Sequence, residues 1–153
     1  MAIEITKSNT ADTRTCDWSK VSKEELLEAS KTHIKDIQKG FDFFIDIMNR
    51  QKYTHDLTKI NDIDGFHNDF KTGFKETSWW ESHQKKERHH FNNEKYIPED
   101  VNLIDILDQI IDGVMAGMAR SGEYRKENIS KELLERAYKN TVELLLNETV
   151  VVK

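Results

Sequence analysis

Pro98-Glu99-Asp100-Val101-Asn102-Leu103-Ile104-Asp105-Ile106-Leu107-Asp108-Gln109-Ile110-Ile111-Asp112-Gly113-Val114-Met115-Ala116-Gly117-Met118-Ala119-Arg120 is the stretch that decides the fold. A proline followed by acids suits a first helical turn, and Ser121-Gly122 suits its end. Between them Leu103, Ile104, Ile106, Leu107, Ile110, Ile111, Val114, Met115 and Met118 make the most apolar segment of the chain. A helix this hydrophobic is expected at the centre of an all-α bundle. Asp105, Asp108 and Asp112 share one flank of it. An aspartate on a central helix needs a hydrogen bond, a counter-ion or a metal, because burying it unpaired costs on the order of several kcal/mol. Asp112 is the first choice for a ligand, since Gly113, Ala116 and Gly117 beside it permit close approach. Asp105 is the rival, and a wet edge formed by all three stays open.

The segments on either side read as helices too. Ser22-Lys23-Glu24-Glu25 is a capping-box pattern that starts a helix running to about Arg50. Leu26, Ile37, Phe41, Phe44 and Met48 form its expected buried stripe, and His33 falls on that stripe. Residues 53–75 keep helical spacing through Ile60, Ile63, Phe66, Phe70 and Phe74, interrupted by Gly65 and Gly73. Asp62, Asp64, His67 and Asp69 read as a solvated face, with a base near a metal open to one of the carboxylates. Thr77 or Ser78 caps a short helix, and Ser130 caps a last one reaching about Asn147. One proline and six glycines favour long helices over many short strands. The expectation is a single all-α domain of about five to six helices over 21–149. A polar arm over 1–20, pinned by Trp18, precedes it, and a short tail over 150–153 follows.

Composition narrows the classes of function. With 153 residues, 33% charged and 37% hydrophobic, the chain is long enough for one real core. A net charge of −5 leaves no footprint for non-specific nucleic-acid binding. No apolar run has the length of a membrane span, and the first residues lack a signal-peptide pattern. The single cysteine, Cys16, precludes an internal disulfide and fits a reducing cytoplasm, that of the host if the protein is phage-encoded. The oligomeric state is open, a homodimer included.

The chemistry-bearing residues follow an order along the chain. Tyr53-Thr54-His55-Asp56-Leu57-Thr58-Lys59 holds an adjacent His-Asp pair with a lysine three residues after the aspartate. Imidazole and carboxylate together suit a borderline metal such as Fe, Mn, Co or Zn. His83 and His90 are seven residues apart and share a helical face. His89 turns inward as well if the helix breaks after Arg88. Trp79 and Trp80 divide between core and pocket wall. The alternatives are a core histidine satisfied by a carbonyl or carboxylate for His33, and an exposed polar helix for 77–92.

Read together, His33, His55-Asp56 with Lys59, His83, His89-His90 and Asp112 resemble the ligand order of the HD-domain superfamily of metal-dependent phosphohydrolases. The likeness extends to its binuclear branches, including HD-GYP phosphodiesterases of cyclic-di-GMP. His55-Asp56-Leu57-Thr58-Lys59 is similar to the His-Asp-x-Gly-Lys segment of that family, with Thr58 in place of glycine. His89-His90 and Tyr96-Ile97-Pro98 resemble its His-His and Gly-Tyr-Pro elements, the glycine being absent. The chain also resembles a small group of bacterial and phage proteins with HD, Arg/Asn-x-His-His and Met-Ala features.

The resemblance implies a helical domain with one or two divalent transition metals. His33, His55, Asp56 and Asp112 would hold the first, and Asp56 would bridge to a second held by His83 with His90 or His89. It implies catalytic roles for Asp56 and Lys59, with Lys59, Arg88, Lys85 and Arg120 near a phosphate. The short spacing from His83 to His89 and the altered Gly-Tyr-Pro element argue against cyclic-di-GMP. A nucleotide or another small phosphoester is the expected substrate class. The alternatives are a mixed-valent di-iron oxygenase of the same superfamily acting on a small organic substrate, and a non-catalytic helical binding protein.

Overall fold

A computed structural model describes residues 2–152. The chain is mostly helical (64%), as the sequence leads one to expect. The elements run β1 (Ile3–Thr6), α1 (Lys23–Thr54), α2 (Leu57–Asn61), α3 (Ile63–Lys71), α4 (Trp79–Lys86), α5 (Leu103–Ser121), α6 (Lys131–Glu148) and β2 (Thr149–Val152). Among the described residues no helix is long and apolar enough to cross a membrane. The contacts divide the chain into two units, one of 1–48 with 142–153 and one of 49–141.

In the first unit the two ends of the chain meet. β1 pairs with β2 in parallel, with Ile3 opposite Thr149 and Thr6 opposite Val152. The expected arm and tail are therefore partners in a small sheet, a pairing that local sequence does not signal. Ser22 and Glu25 form the reciprocal cap at the start of α1, Ser22 N donating to Glu25 Oε2 at 2.8 Å and Glu25 N to Ser22 Oγ at 3.1 Å. The buried face of α1 is not the one expected. Ala29 is fully buried, whereas Leu26, Ile37, Phe41 and Met48 are exposed. Trp18, expected to pin the arm, is 91% exposed.

In the second unit Val101 and Ile106 pack against Leu133 and Ala137 of α6, with Phe91, Ile97 and Ile129 around them. Asn140 donates to the carbonyls of Glu99 and Val101 at 2.9 and 2.8 Å, and the Thr141 hydroxyl accepts from Leu103 N at 2.9 Å. Pro98–Val101 forms a turn, and the helix starts five residues later than expected. Asn102 is the N-cap and forms a capping box with Asp105. Gly122, at φ 72°, ends α5 in the left-handed conformation that glycine takes without strain.

The polarity of α5 also departs in part from expectation, although Ile104 and Ile106 are buried as expected. Asp105, Asp108 and Gln109 are buried, while Leu103, Leu107, Ile110, Ile111, Met115 and Met118 are 37–64% exposed. Gly113 and Gly117 receive the chain that follows the helix: Arg125 N donates to Gly113 O at 3.3 Å. A Cβ on Gly117 would meet the Glu123 carbonyl and lie 2.7 Å from Arg125 N. Both obstacles are backbone, so Gly117→Ala must displace the loop. We expect it to lower stability by about 1–3 kcal/mol, read as a fall in Tm, with wild-type helicity retained by circular dichroism.

Candidate metal centre

The centre lies wholly within the second unit and is built around the turn between α1 and α2. His55 N still donates to Gln51 O at 2.9 Å, the last helical bond of α1. Asp56 then enters the left-handed region at φ 57°, a conformation that aspartate tolerates better than most residues. Asp56 occupies the N-cap position of α2, yet its side chain makes no capping bond. Glu87 caps instead. Its carboxylate accepts from Asp56 N at 3.2 Å, Thr58 N at 3.3 Å and Thr58 Oγ1 at 2.6 Å. The Asp56 carboxylate is thereby released to face the histidines.

Two donor groups share that carboxylate. His55, Asp56 and His89 form one and Asp56, His83 and His90 the other, with the ligand atoms of each group within 4.8 Å of one another. Asp56 Oδ2 is 3.6 Å from His55 Nε2, and Asp56 Oδ1 is 3.7 Å from His89 Nε2 and 3.4 Å from His83 Nε2. The Nε2 atoms of His83 and His90 are 3.0 Å apart. The rings of His55 and His89 stack with centroids 4.4 Å apart.

Asp108 orients the first group from behind. Its Oδ1 accepts from His55 Nδ1 at 2.9 Å, and its Oδ2 accepts from Gln51 at 2.9 Å. Asp108 Oδ2 also lies 3.4 Å from His89 Nδ1, a close contact without the alignment of a hydrogen bond. Both imidazoles thus turn Nδ1 toward one carboxylate and Nε2 toward another. Histidines that ligate metals are commonly held by this kind of outer carboxylate. Behind His83 stand Trp79 and Trp80, stacked on its ring at 5.2 and 4.9 Å. Phe66 backs Trp79 at 4.7 Å, and Phe74 backs Trp80 at 4.7 Å.

The electrostatics follow from this wiring. The hydrogen bond to Asp108 raises the pKa of His55 against the effect of its burial. Burial pushes Asp108 up, but the hydrogen bond of His55, the close approach of His89 and the hydrogen bond of Gln51 outweigh it and hold the carboxyl well below the usual range. Burial likewise pushes Asp56 up, and Lys59, His55 and His89 bring it below its ordinary value. Burial lowers the pKa of His83. Burial, then the neighbouring His89 and His83, brings His90 down to about 3. His83 and His90 are therefore neutral at pH 7 and each has a lone pair to offer a metal.

The donor set passes a test of fit. Asp56 Oδ1 and both ring nitrogens of His89 are buried without a hydrogen-bond partner. Atoms of this kind are normally satisfied inside a protein, and an ion is one thing that satisfies them. The set is imidazole and carboxylate, which Fe, Mn, Co and Zn all accept.

The structure brings together His55, Asp56, His83, His89, His90 and Asp112, whose Oδ1 is 3.9 Å from His55 Nε2. His89 and His90 both turn inward, one to each group. Asp112 also accepts from Arg125 Nη2 at 2.7 Å. Lys59 pairs with Asp56 Oδ2 and sits over the Trp80 ring.

Other expected residues go elsewhere. His33 pairs with Asp12 at 3.0 Å in the first unit. Two consecutive helices are expected between His33 and His55, but Lys23–Thr54 is one uninterrupted helix. Arg88 does not face the cluster. It grips Asp105 through Nε and Nη2, both at 2.8 Å, and reaches the Asp100 carboxylate at 3.0 Å and carbonyl at 3.2 Å. That pairing also removes Asp105 as a ligand. Lys85 pairs with Glu81 at 2.8 Å, and Arg120 lies exposed near the end of α5. Asp69, expected on a solvated face, is fully buried and accepts from Trp80 N at 2.8 Å and Thr77 N at 3.3 Å, at the start of α4.

Sequence reasoning missed Glu87, Thr58, Gln51 and Arg125, and left Asp108 without a role. Asp108 lies one helical turn before Asp112, so the flank was visible. Glu87 sits in a Lys-Lys-Glu-Arg run that reads as surface charge. No family model matches the chain, and neither the curated proteins nor the solved structures compared with it contain a match.

Proposed function

We propose that the chain is a metal-dependent phosphohydrolase acting on a nucleotide or another small phosphoester through a metal-activated water. The observation that carries this reading is the meeting of two histidine-carboxylate groups on one half-buried aspartate, Asp56, with the Lys59 ammonium beside it. His55, Asp56 and His89, with Asp112, would hold one divalent metal, and Asp56, His83 and His90 a second. Metals so placed supply an activated water and offset the charge of a phosphoryl group. Asp108 and Gln51 fix the ring of His55, and Asp108 faces that of His89. Lys59 offers a cation to a phosphate oxygen, which suits an anionic substrate. Trp79 and Trp80 cover the back of His83 and keep solvent from that side.

Elemental analysis of untagged protein, purified without chelator, tests the first part. About two equivalents of Fe, Mn, Co or Zn per chain are expected for a binuclear centre. Phosphate release from nucleoside phosphates and small phosphoesters, assayed with each metal, tests the second. Lys59→Met is expected to keep the metal content and lower kcat/KM about 100-fold. Absence of metal after reconstitution would sink the proposal. Metal without phosphate release from any phosphoester would sink the hydrolase reading alone.

A further inference from the structure

We infer that Thr58 and Glu87 form a relay that fixes the tautomer of His83, making Thr58 the positioning residue for the second metal and not for the first. The inference rests on the metal-centre reading above and adds a division of control within it.

The tautomer follows from a count of hydrogens. Glu87 receives backbone N–H groups on both oxygens, from Asp56 on Oε2 and from Thr58 on Oε1, so both act as acceptors. The Thr58 hydroxyl lies 2.6 Å from Oε1 and must donate its one hydrogen there. The same hydroxyl oxygen is 2.7 Å from His83 Nδ1. With its hydrogen spent, it accepts, and His83 donates from Nδ1. His83 Nε2 then carries the lone pair. That atom faces Asp56 Oδ1 at 3.4 Å and His90 Nε2 at 3.0 Å, where a cation would sit.

His83 is 1% exposed, so solvent offers its Nδ1 no substitute partner. The first donor group shares Asp56 with the second, but neither of its histidines bonds the Thr58 hydroxyl. His55 there takes its orientation from Asp108, on α5. An outer partner of a ligating histidine typically changes metal affinity about 10–100-fold.

Two measurements test the inference. In metal-free wild-type protein, two-bond ¹H–¹⁵N correlation spectra of the imidazoles should show His83 as the Nδ1–H tautomer. An Nε2–H tautomer would overturn the relay. Stepwise cobalt titration, followed by absorption, is then compared in wild type, Thr58→Val and Thr58→Ser. Thr58→Val should weaken the second equivalent about 10–100-fold and leave the first unchanged, while Thr58→Ser should restore both. Equal loss of both equivalents, or of neither, in Thr58→Val protein with wild-type helicity would overturn it. If Thr58→Val fails to fold, Thr58→Ala takes its place in the titration. A wild-type protein that binds no cobalt would sink the metal reading while the tautomer measurement still decides the relay.

Discussion

Asp56→Asn should strip both metals from the chain and take phosphate release to background, whereas His89→Ala or His90→Ala should remove one equivalent each. Asp56 is the only residue common to the two donor groups, with Oδ2 toward His55 and Oδ1 toward His83 and His89. An amide keeps the size of the side chain and tolerates the left-handed backbone at φ 57°. It has neither the charge nor two equivalent oxygens with which to serve two cations. Loss of an outer partner alone weakens metal binding about 10–100-fold, and loss of a shared ligand should exceed that at both positions. Elemental analysis read against circular dichroism checks the result. Two equivalents retained in the folded Asn variant would show that Asp56 is not the shared ligand.

Arg88→Met should be among the most destabilising single changes in the second unit. The Arg88 guanidinium holds Asp105, whose side chain is 2% exposed, through two parallel hydrogen bonds. Removing one partner of such a pair leaves the other charge buried, at about 3 kcal/mol, or roughly 6–12 °C in Tm for a chain of this size. Asp105 would keep only the Asn102 N–H, at 2.9 Å. Adding Asp105→Asn to Arg88→Met should recover part of the loss, since the orphaned charge disappears with it. Thermal melts of the two variants decide the matter. Had Arg88 served as a phosphate contact, Arg88→Met would raise KM with Tm unchanged.

Helix type and the acidic flank of α5 were legible because both are local. The spacing of Asp105, Asp108 and Asp112 places them on one side whatever the rest of the chain does. Their separate roles were not legible, because each depends on what crosses that flank. Arg88 meets Asp105, His55 and His89 meet Asp108, and Arg125 meets Asp112.

The same limit explains the exposed apolar residues of α1 and α5. Periodicity identifies a stripe such as Ile37, Phe41 and Met48, but not whether anything in the same chain covers it. The His-Asp pair was legible as a pair of donors. That Glu87 would cap α2, leaving Asp56 free, depends on a residue 31 positions downstream.

The parallel pairing of Ile3–Thr6 with Thr149–Val152 also bears on how the protein is made. β1 leaves the ribosome among the first described residues, and its partner strand is translated only after the whole of 49–141. At a synthesis rate of about 5–20 residues per second, the first strand waits on the order of ten seconds unpaired. The unit that carries the histidine-carboxylate cluster can mature during that interval, its residues from His55 to Asp112 all being translated before β2. Closure of the sheet is thus a late event, and β1 is the longer-lived unpaired strand of the two.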